Sequence, residues 1–237
     1  MRSNSPRHLS RPGITYQLVR LKVSTRTRNP EETRRRLIDA TIRLMLRQGY
    51  ASTTVDQICE ESGLTKGAFF HHYTSKEELT RAAVAAWGEF GTSHYAEAWM
   101  GGETDPLAQL HRMLEIMMSF TERPDDPCTC MVGMMSQELA QTHPVLREAC
   151  DHELETWTTN VARLLAEAKR IHPVAKPFEP EQVAWFLNSL WQGSMLVGKV
   201  HRSPALIRDN LQLARGFIDS LFTPTTIPVP PSKSKTS

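Results

Sequence analysis

The chain has 237 residues, 40% hydrophobic and 23% charged, so it can bury a substantial core and is not disordered as a whole. Its four cysteines are too few for a disulfide scaffold, which excludes a small secreted domain and favours a reducing compartment. No apolar run approaches the ~18 residues of a membrane-spanning helix, and the first residues lack the apolar segment of a signal peptide. We therefore expect a soluble cytoplasmic protein.

The net charge of +2 is unevenly distributed along the chain. Residues 1–81 carry 15 Lys or Arg against 8 Asp or Glu, whereas residues 82–237 carry 13 against 18. A basic third beside an acidic remainder indicates a polyanionic partner, either a nucleic acid or an anionic membrane surface, although a solvated basic tail has the same composition. Charge alone leaves these alternatives open.

Both ends of the chain have compositions that cannot bury a core. Residues 1–29 alternate basic, Ser, Thr and Pro residues without periodicity, which predicts a disordered basic arm. This arm either follows a DNA minor groove or remains a solvated tail, and translation could also begin later, near Leu21 or Val23. Residues 223–237 are rich in Pro, Ser, Thr and Lys, so we predict a second disordered tail there.

Between the tails the apolar periodicity is helical, which predicts an all-α protein. Pro30 and the acids after it mark the start of a first helix that runs to Gln48 and stops at Gly49. The segment 53–73 then predicts two short helices joined by a glycine turn, the helix-turn-helix geometry. Further helices are predicted over residues 75–100, 106–123, 130–141, 144–170, 180–201 and 204–222.

The stretch T-T-V-D-Q-I-C-E-E-S-G-L-T-K-G-A-F-F-H-H-Y-T-S-K-E-E-L at residues 53–79 closely resembles the DNA-binding signature of the TetR family of bacterial transcriptional regulators. It combines the T-T-V start, the glycine turn, a capped recognition helix, an aromatic-His-His-aromatic end and the S-K-E-x-L start of a connecting helix. The resemblance implies a three-helix DNA-binding domain over residues 30–80. It also implies a C-terminal helical domain for effector binding and dimerisation over residues 81–222.

The resemblance assigns DNA contacts to three neighbouring helix starts and to the recognition helix, which would lie in the major groove. Free N–H groups and hydroxyls at helix N-termini donate to phosphates, whereas a lysine reaches a guanine edge or a phosphate. Family members most often carry tyrosine where this chain has Phe70, so the phosphate contact of that hydroxyl is lost and His72 is the alternative donor. The implied DNA-binding residues are Thr53, Thr54, Thr65, Lys66, Gly67, Ala68, Phe70, His71, His72 and Lys76.

Methionines and tryptophans of the second half predict a pocket for a small apolar or aromatic effector, because methionine adapts to varied shapes. For each residue taken singly, ordinary core packing is the alternative. Apolar residues of the last two helices are assigned to a dimer interface: Ala184, Leu187, Leu190, Val197, Leu211, Ala214, Phe217, Ile218 and Leu221. The predicted effector-binding residues are Met113, Met117, Cys130, Met134, Trp157 and Trp191.

Two cysteines, Cys128 and Cys130, are predicted at a loop-to-helix junction. A helix N-terminus makes a thiol more reactive, whereas the nearby acids Asp125 and Asp126 oppose this by raising its pKa. Residues 130–133 and 191–194 resemble a branch of the family that includes regulators responding to reactive electrophiles. A thiol sensor acting through Cys130 and an inert thiol therefore both remain open.

These features predict a ligand-responsive, sequence-specific transcriptional regulator. We expect a homodimeric repressor that a small-molecule effector releases from a palindromic double-stranded DNA operator. An activator with the same fold is the alternative, since the two differ in where the operator lies relative to the promoter. The sequence contains no hydrolase, kinase or dinucleotide-binding motif, so no enzyme and no catalytic residue are expected. His71 and His72 point to different sides of a helix, so neither a metal nor another cofactor is expected. The basic arm lacks the apolar face of an interfacial helix, so no membrane partner is expected either.

Overall fold

The computed structural model describes residues 29–100, 102–122 and 128–223. Residues 1–28 of the predicted arm (1–29), residues 224–237 of the predicted tail (223–237) and the acids Asp125 and Asp126 lie outside these ranges, whereas Asn29 caps the first helix. Within them the chain is helical apart from its connections and one bridge between Val174 and Phe222, which confirms the all-α prediction. The described helices include none that combines the length and the apolarity needed to span a bilayer.

Sequence signals at the helix starts account for most of the element boundaries. A proline occupies the first position of several helices, where its missing N–H costs no intrahelical hydrogen bond. The helices are α1 (Pro30–Gln48), α2 (Val55–Ser62), α3 (Lys66–His72), α4 (Lys76–Met100), α5 (Pro106–Ser119), α6 (Met131–Leu139), α7 (Pro144–Ile171), α8 (Pro180–His201) and α9 (Pro204–Leu221), with a short 3₁₀ turn at Phe120–Glu122.

Helices α1–α3 form the helix-turn-helix unit around a small core that includes Leu37, Ile58 and Phe69. Between α2 and α3 the backbone reverses at Gly63, whose φ of +65° is a left-handed conformation that glycine adopts without steric cost. Thr65 then caps α3. The turn and the buried Phe69 together fix the direction in which α3 faces solvent.

A second core lies between α5, α7, α8 and α9, and a third joins the two halves of the chain. In this third core Met45 of α1 and Val84 of α4 are buried together with Met135 of α6 and Cys150 of α7. The helix-turn-helix unit is therefore connected to α6 and α7 by close-packed side chains and not by α4 alone.

The predicted dimer surface on α8 and α9 is corrected by the structure. Six of its residues, Ala184, Leu187, Leu211, Ala214, Ile218 and Leu221, are buried within the chain's own core, because these positions form the stripe along which the two helices pack. Val197 and Phe217 are exposed as expected. Large apolar side chains that were not anticipated accompany them at the surface: Trp185, Phe186, Leu196, Val200 and Leu213.

Candidate nucleic-acid interface and internal cavity

The recognition helix α3 is held by its buried side and offers its other side to solvent. The Thr65 hydroxyl accepts a hydrogen bond from the Ala68 N–H at 3.2 Å and so fixes the N-terminus of the helix. Phe69 is fully buried, whereas Phe70 is 57% exposed and contacts it edge to face. Gly67 and His71 are also exposed, so the outer face combines a close-approach backbone, an aromatic ring and an imidazole.

Lys66 supplies the positive charge at the start of α3. Its Nζ lies 2.6 Å from Oδ1 of Asp56, and this hydrogen-bonded ion pair raises the pKa of Lys66. Both side chains are largely exposed, and exposed ion pairs contribute little free energy. The lysine is thus charged and can exchange Asp56 for a phosphate or a guanine edge without a large cost.

The second helix start, at α2, is also exposed. The Thr54 hydroxyl accepts a hydrogen bond from the Gln57 N–H, and the Gln57 side-chain oxygen accepts one from the Thr54 N–H. The two bonds form a capping box. His72 at the end of α3 is half-buried, with its ring against that of His71. Thr54, His71 and His72 therefore lie on or beside the surface that α3 presents.

The side chains of Thr53 and Lys76 do not point to a DNA phosphate as predicted, because both bind carbonyls of the protein. Thr53 is buried, and its hydroxyl donates to the Gly49 carbonyl at 2.7 Å. Lys76 turns inward, donates from Nζ to the carbonyls of Tyr50 and Thr53 at 2.9 Å each, and lies over the Tyr50 ring. Burial lowers the pKa of Lys76. Both residues organise the loop between α1 and α2, because its carbonyls are the partners within their reach.

The same loop is held from the other side by Glu138, near the end of α6. Its carboxylate accepts hydrogen bonds from the N–H groups of Tyr50 and Ala51 at 2.9 and 2.7 Å. Lys76 thus binds carbonyls of this short loop, and Glu138 binds N–H groups of the same loop. The helix-turn-helix unit is fastened to α6 at this point, a contact that sequence analysis missed.

A cavity of about 600 Å³ lies between α1, α4, α6, α7 and α8. Seven of its lining residues are aromatic. Four residues of α1 also contribute, so the first helix of the helix-turn-helix unit is part of the cavity wall. The aromatic lining consists of Trp87, Phe90, Tyr95, Trp99, Phe120, Trp157 and Trp191. The α1 residues are Ile42, Arg43, Leu46 and Arg47, and polar side chains include Thr129, Glu153, Asn188 and Gln192.

Three of the six predicted effector-binding residues line this cavity, namely Cys130, Trp157 and Trp191. The three methionines do not. Met113 and Met117 are fully buried in the core between α5, α7 and α9, since the apolar stripe of α5 faces that core. Met134 lies on the other side of α6, with its sulfur 3.7 Å from the Lys199 ammonium.

The aromatic wall of α4 was missed by sequence analysis. Trp87, Tyr95 and Trp99 recur at intervals of four or eight residues, and Gly88 and Gly91 lie on the same wall. Aromatic residues at helical spacing beside glycines were the available signal, because a glycine leaves open space next to a helix. Nothing described lies within 4 Å of a Cβ built on Gly91, whereas one on Gly88 would collide with the Glu153 carboxylate.

Several residues that line the cavity carry a polar group that is itself buried away from the cavity space and has no partner among the described residues. They are the indole N–H groups of Trp99 and Trp157 and the hydroxyl of Thr129. The Trp157 N–H lies toward the Tyr95 phenol, whose oxygen is the acceptor nearest to hand for it. Burial raises the pKa of Tyr95 and that of Glu153. The surface that lines the cavity is therefore mostly apolar, and the two indole N–H groups and the Thr129 hydroxyl lie behind it.

Two family models match the chain. The model described as "Bacterial regulatory proteins, tetR family" matches residues 37–83, and "Tetracyclin repressor-like, C-terminal domain" matches residues 106–214. The transcriptional regulator AcuR of Cereibacter sphaeroides is 27% identical over 168 residues, 71% of this chain and 77% of that protein. The transcriptional repressor DhaR of Mycobacterium sp. strain GP1 is 24% identical over 170 residues, 72% of this chain and 84% of that protein.

Solved structures show the same fold. A regulatory protein TetR from Rhodobacter sphaeroides superposes with a TM-score of 0.67 at 25% identity, covering 80% of this chain and 98% of that one. Reduced NemR from E. coli gives a TM-score of 0.72 at 20% identity, covering 82% and 99%. With the capped recognition helix and the two family matches, these likenesses show that the chain belongs to the TetR family and is a DNA-binding transcriptional regulator.

Proposed function

We propose that this regulator is a repressor that leaves its operator when a small molecule occupies the internal cavity. The observation that carries the proposal is the double role of α1. Its residues Ile42 and Leu46 line the cavity, while Leu37 and Leu44 of the same helix pack beneath α2 and α3. A ligand that changes the position of α1 would also change the orientation of α3, and the two binding events would share a coupling free energy.

Helix α6 provides a second connection between the cavity and the helix-turn-helix unit. Cys130 and Val132 at its start line the cavity, whereas Glu138 near its end holds the N–H groups of the α1–α2 loop. The helix has nine residues and packs along α7. A displacement at its first turn would therefore reach the loop that precedes α2.

DNA recognition in this proposal rests on the exposed face of α3 in the major groove. Lys66 and Phe70 reach base edges, and the helix starts at Thr54 and Thr65 bind phosphates. Gly67, Ala68, His71 and His72 complete the surface. The relative from Mycobacterium sp. is named a transcriptional repressor, which favours repression over activation for this chain.

The proposed active form is a homodimer that binds a palindromic operator. Exposed apolar side chains on α8 and α9 support it, because a monomer seldom leaves such a contiguous face in water. The Phe186 and Phe217 rings contact each other across the two helices, with centroids 5.1 Å apart. A two-fold axis through this face would give the dimer two copies of α3, as binding to a palindromic operator requires.

In vitro selection from random duplexes, followed by fluorescence anisotropy at two salt concentrations, tests the proposal. We expect enrichment of a palindrome, salt-dependent binding that survives random competitor DNA, and loss of binding with some member of a small-molecule library. A reporter promoter that contains the palindrome should be repressed by the protein. Enrichment of no sequence, or a reporter that is activated, would contradict the proposal.

A thiol sensor is the second candidate, favoured by the position of two cysteines. Cys130 is the N-cap residue of α6 and lines the cavity together with Cys128. Alkylation of either thiol would add volume where α6 begins. The test compares operator binding before and after N-ethylmaleimide in the wild type and in Cys130→Ser and Cys128→Ser. Protection by one of these substitutions would favour the sensor, and equal responses would exclude that cysteine.

A further inference from the structure

We infer that the cavity selects an organic cation, a protonated amine on a flat apolar body, with Glu153 as its counter-ion. This inference rests on the proposed role of the cavity as an effector site and adds the chemical class of the effector. It follows from three properties of the wall: an unpaired carboxylate beside open space, a carbonyl oxygen fixed toward the cavity, and the rings around the carboxylate.

The carboxylate of Glu153 lies at the edge of the open cavity space. It extends from α7 to α4 and lies against Gly88, where a Cβ atom would collide with it. Nearly one turn further along α4, a Cβ atom on Gly91 would meet nothing within 4 Å, and all three residues line the cavity. The carboxylate oxygens keep accessible surface, unlike the indole N–H groups behind the wall. The carboxylate therefore borders the space that a ligand would occupy.

No described cation forms an ion pair with Glu153. Burial raises the pKa of its carboxyl, and the charged groups that act on it are His152, its exposed neighbour in the chain, and Glu89 of α4, which repels it. A partly buried charge without a partner costs free energy. A ligand cation that pairs with Glu153 therefore gains more than a neutral molecule of the same shape.

The positive charges of the described lining are engaged elsewhere. They belong to Arg43 and Arg47 of α1, and both side chains bind Glu61, at 2.7 and 3.3 Å. Neither is among the groups that act on Glu153. An anionic ligand beside Glu153 would lose its hydration and meet a like charge, so this part of the wall disfavours it.

Asn188 of α8, which is 4% exposed, turns a carbonyl oxygen toward the cavity. Its Nδ2 donates to the Leu154 carbonyl at 3.2 Å and to Thr158 Oγ1 at 2.8 Å. Because the Thr158 hydroxyl donates its proton to that same carbonyl, it can only accept from Asn188, which fixes the end of the amide that faces α7. The Oδ1 atom accepts no hydrogen bond from a described residue and keeps accessible surface. It therefore offers an acceptor to an N–H group of the ligand.

Aromatic rings flank the carboxylate along both helices that it joins. Trp157 follows Glu153 by four residues on α7, roughly 6 Å along the helix axis. On α4, Trp87 precedes Gly88, and its ring lies 5.7 Å from that of Phe90, centroid to centroid. All three rings line the cavity, and ring faces attract an organic cation while they pack against its body. A volume of about 600 Å³ holds a fused-ring amine.

A matched series of naphthalenes tests the inference. The probes are 2-naphthylmethylammonium, 2-naphthylmethanol and 2-naphthoate, which share one ring system and carry a positive, a neutral and a negative group. Binding is measured by calorimetry on the full chain at neutral pH. We expect 2-naphthylmethylammonium to bind at least ten-fold more tightly than the alcohol, and the naphthoate to bind most weakly. An alcohol or a naphthoate that binds as tightly as the ammonium would overturn the inference.

Glu153→Gln removes the charge at nearly constant shape. It should weaken binding of 2-naphthylmethylammonium at least ten-fold and leave 2-naphthylmethanol unchanged. Glu155→Gln removes the same charge from the exposed side of α7 and should change neither. If Glu153→Gln leaves the ammonium unaffected, or weakens both probes equally, Glu153 is not the counter-ion and the inference fails.

Gly91→Leu tests whether the probes lie beside the carboxylate. The new side chain would fill the open space next to Gly91 and should weaken the ammonium and the alcohol alike, at least ten-fold. Unchanged binding of both would place them outside this part of the cavity and contradict the inference. Circular dichroism of each variant confirms that the fold is retained, and the probe series on the wild type does not depend on any variant.

Operator binding measured with each probe separates this inference from the proposed function. If 2-naphthylmethylammonium binds selectively but the operator stays bound, the chemical class is correct and effector control by that ligand fails. If the ammonium does not bind while a neutral or anionic library compound releases the operator, effector control stands and the chemical class is wrong.

Discussion

Lys66 is the residue whose contribution to DNA binding is most directly testable, because its charge is exposed and its present partner is a single carboxylate. Lys66→Ala should weaken operator binding about ten-fold if the side chain reads a base. If it binds a phosphate instead, the loss should be similar on all sequences, and the slope of log affinity against log salt should fall by about one. Fluorescence anisotropy with operator and random duplexes distinguishes the two.

Lys176→Ala is the control for this substitution, since Lys176 is an exposed lysine in the loop between α7 and α8. It removes the same charge far from α3 and should leave operator affinity unchanged. An affinity for Lys66→Ala equal to that of this control would show that Lys66 does not contact DNA.

Glu153 gives the protein a predictable response to pH. Burial raises the pKa of its carboxyl, so the folded protein binds more protons than the unfolded chain between the ordinary and the raised pKa. Stability should therefore fall as pH rises through that interval. Glu153→Gln removes the ionisation, and its gain in melting temperature should be larger at pH 7 than at pH 5. Thermal unfolding at both values measures this.

Glu155→Gln on the exposed side of α7 is the matched control, and it should give the same small change at both pH values. A gain from Glu153→Gln that does not depend on pH would mean that packing against Gly88, and not ionisation, determines its effect.

Residue roles were predictable where they depend on local sequence. The caps at Thr54 and Thr65 follow from a threonine three residues before a backbone N–H that needs an acceptor. Met113 could not be placed, because periodicity identifies the apolar stripe of α5 without identifying which neighbours the stripe meets. Lys76 was misplaced for the same reason, since its carbonyl partners lie more than twenty residues earlier.

At the scale of elements, α6 connects the cavity to the helix-turn-helix unit: its start lines the cavity, and Glu138 near its end binds the loop between α1 and α2. Glu138→Gln removes the charge that holds the Tyr50 and Ala51 N–H groups and should destabilise their loop by about 1 kcal/mol. The two amides should then exchange with solvent about five-fold faster in NMR hydrogen-exchange measurements.

Glu148→Gln, on the exposed surface of α7, is the control for this change and should leave the exchange of both amides unaltered. Unchanged exchange in Glu138→Gln as well would show that α6 does not hold the loop. Faster exchange together with weaker operator binding would link the loop to the position of α3.

Element boundaries were largely predictable, because prolines, caps and glycines mark them. The predicted helix over 180–201 matches α8, and the predicted helix over 130–141 differs from α6 by one residue at its start and two at its end. The contact between Glu138 and Ala51 spans 87 residues and leaves no local signal. Sequence therefore indicated where helices begin and end but not which loop α6 would hold.

At the scale of the whole molecule, the cavity lies where the two halves of the chain meet. Its wall takes residues from α1, α4, α6, α7 and α8, so no single segment of sequence defines it. The exposed face of α3 belongs to the N-terminal part of the described chain, whereas the exposed apolar face lies on α8 and α9 at its C-terminal end. In the proposed dimer, a ligand-dependent shift between these elements would change the separation of the two recognition helices.

The exposed apolar face of α8 and α9 is the proposed dimer interface, and a charge placed there should separate the subunits. Phe186→Glu places a charge at the contact between Phe186 and Phe217 and should convert the proposed dimer into monomers at micromolar concentration. Because a monomer presents one recognition helix, its affinity for the palindrome should fall at least ten-fold while affinity for one half-site stays the same. Sedimentation velocity and anisotropy measure both. Ile171→Glu, at an exposed apolar position on α7, should remain dimeric, and a dimeric Phe186→Glu protein would show that the subunits associate elsewhere.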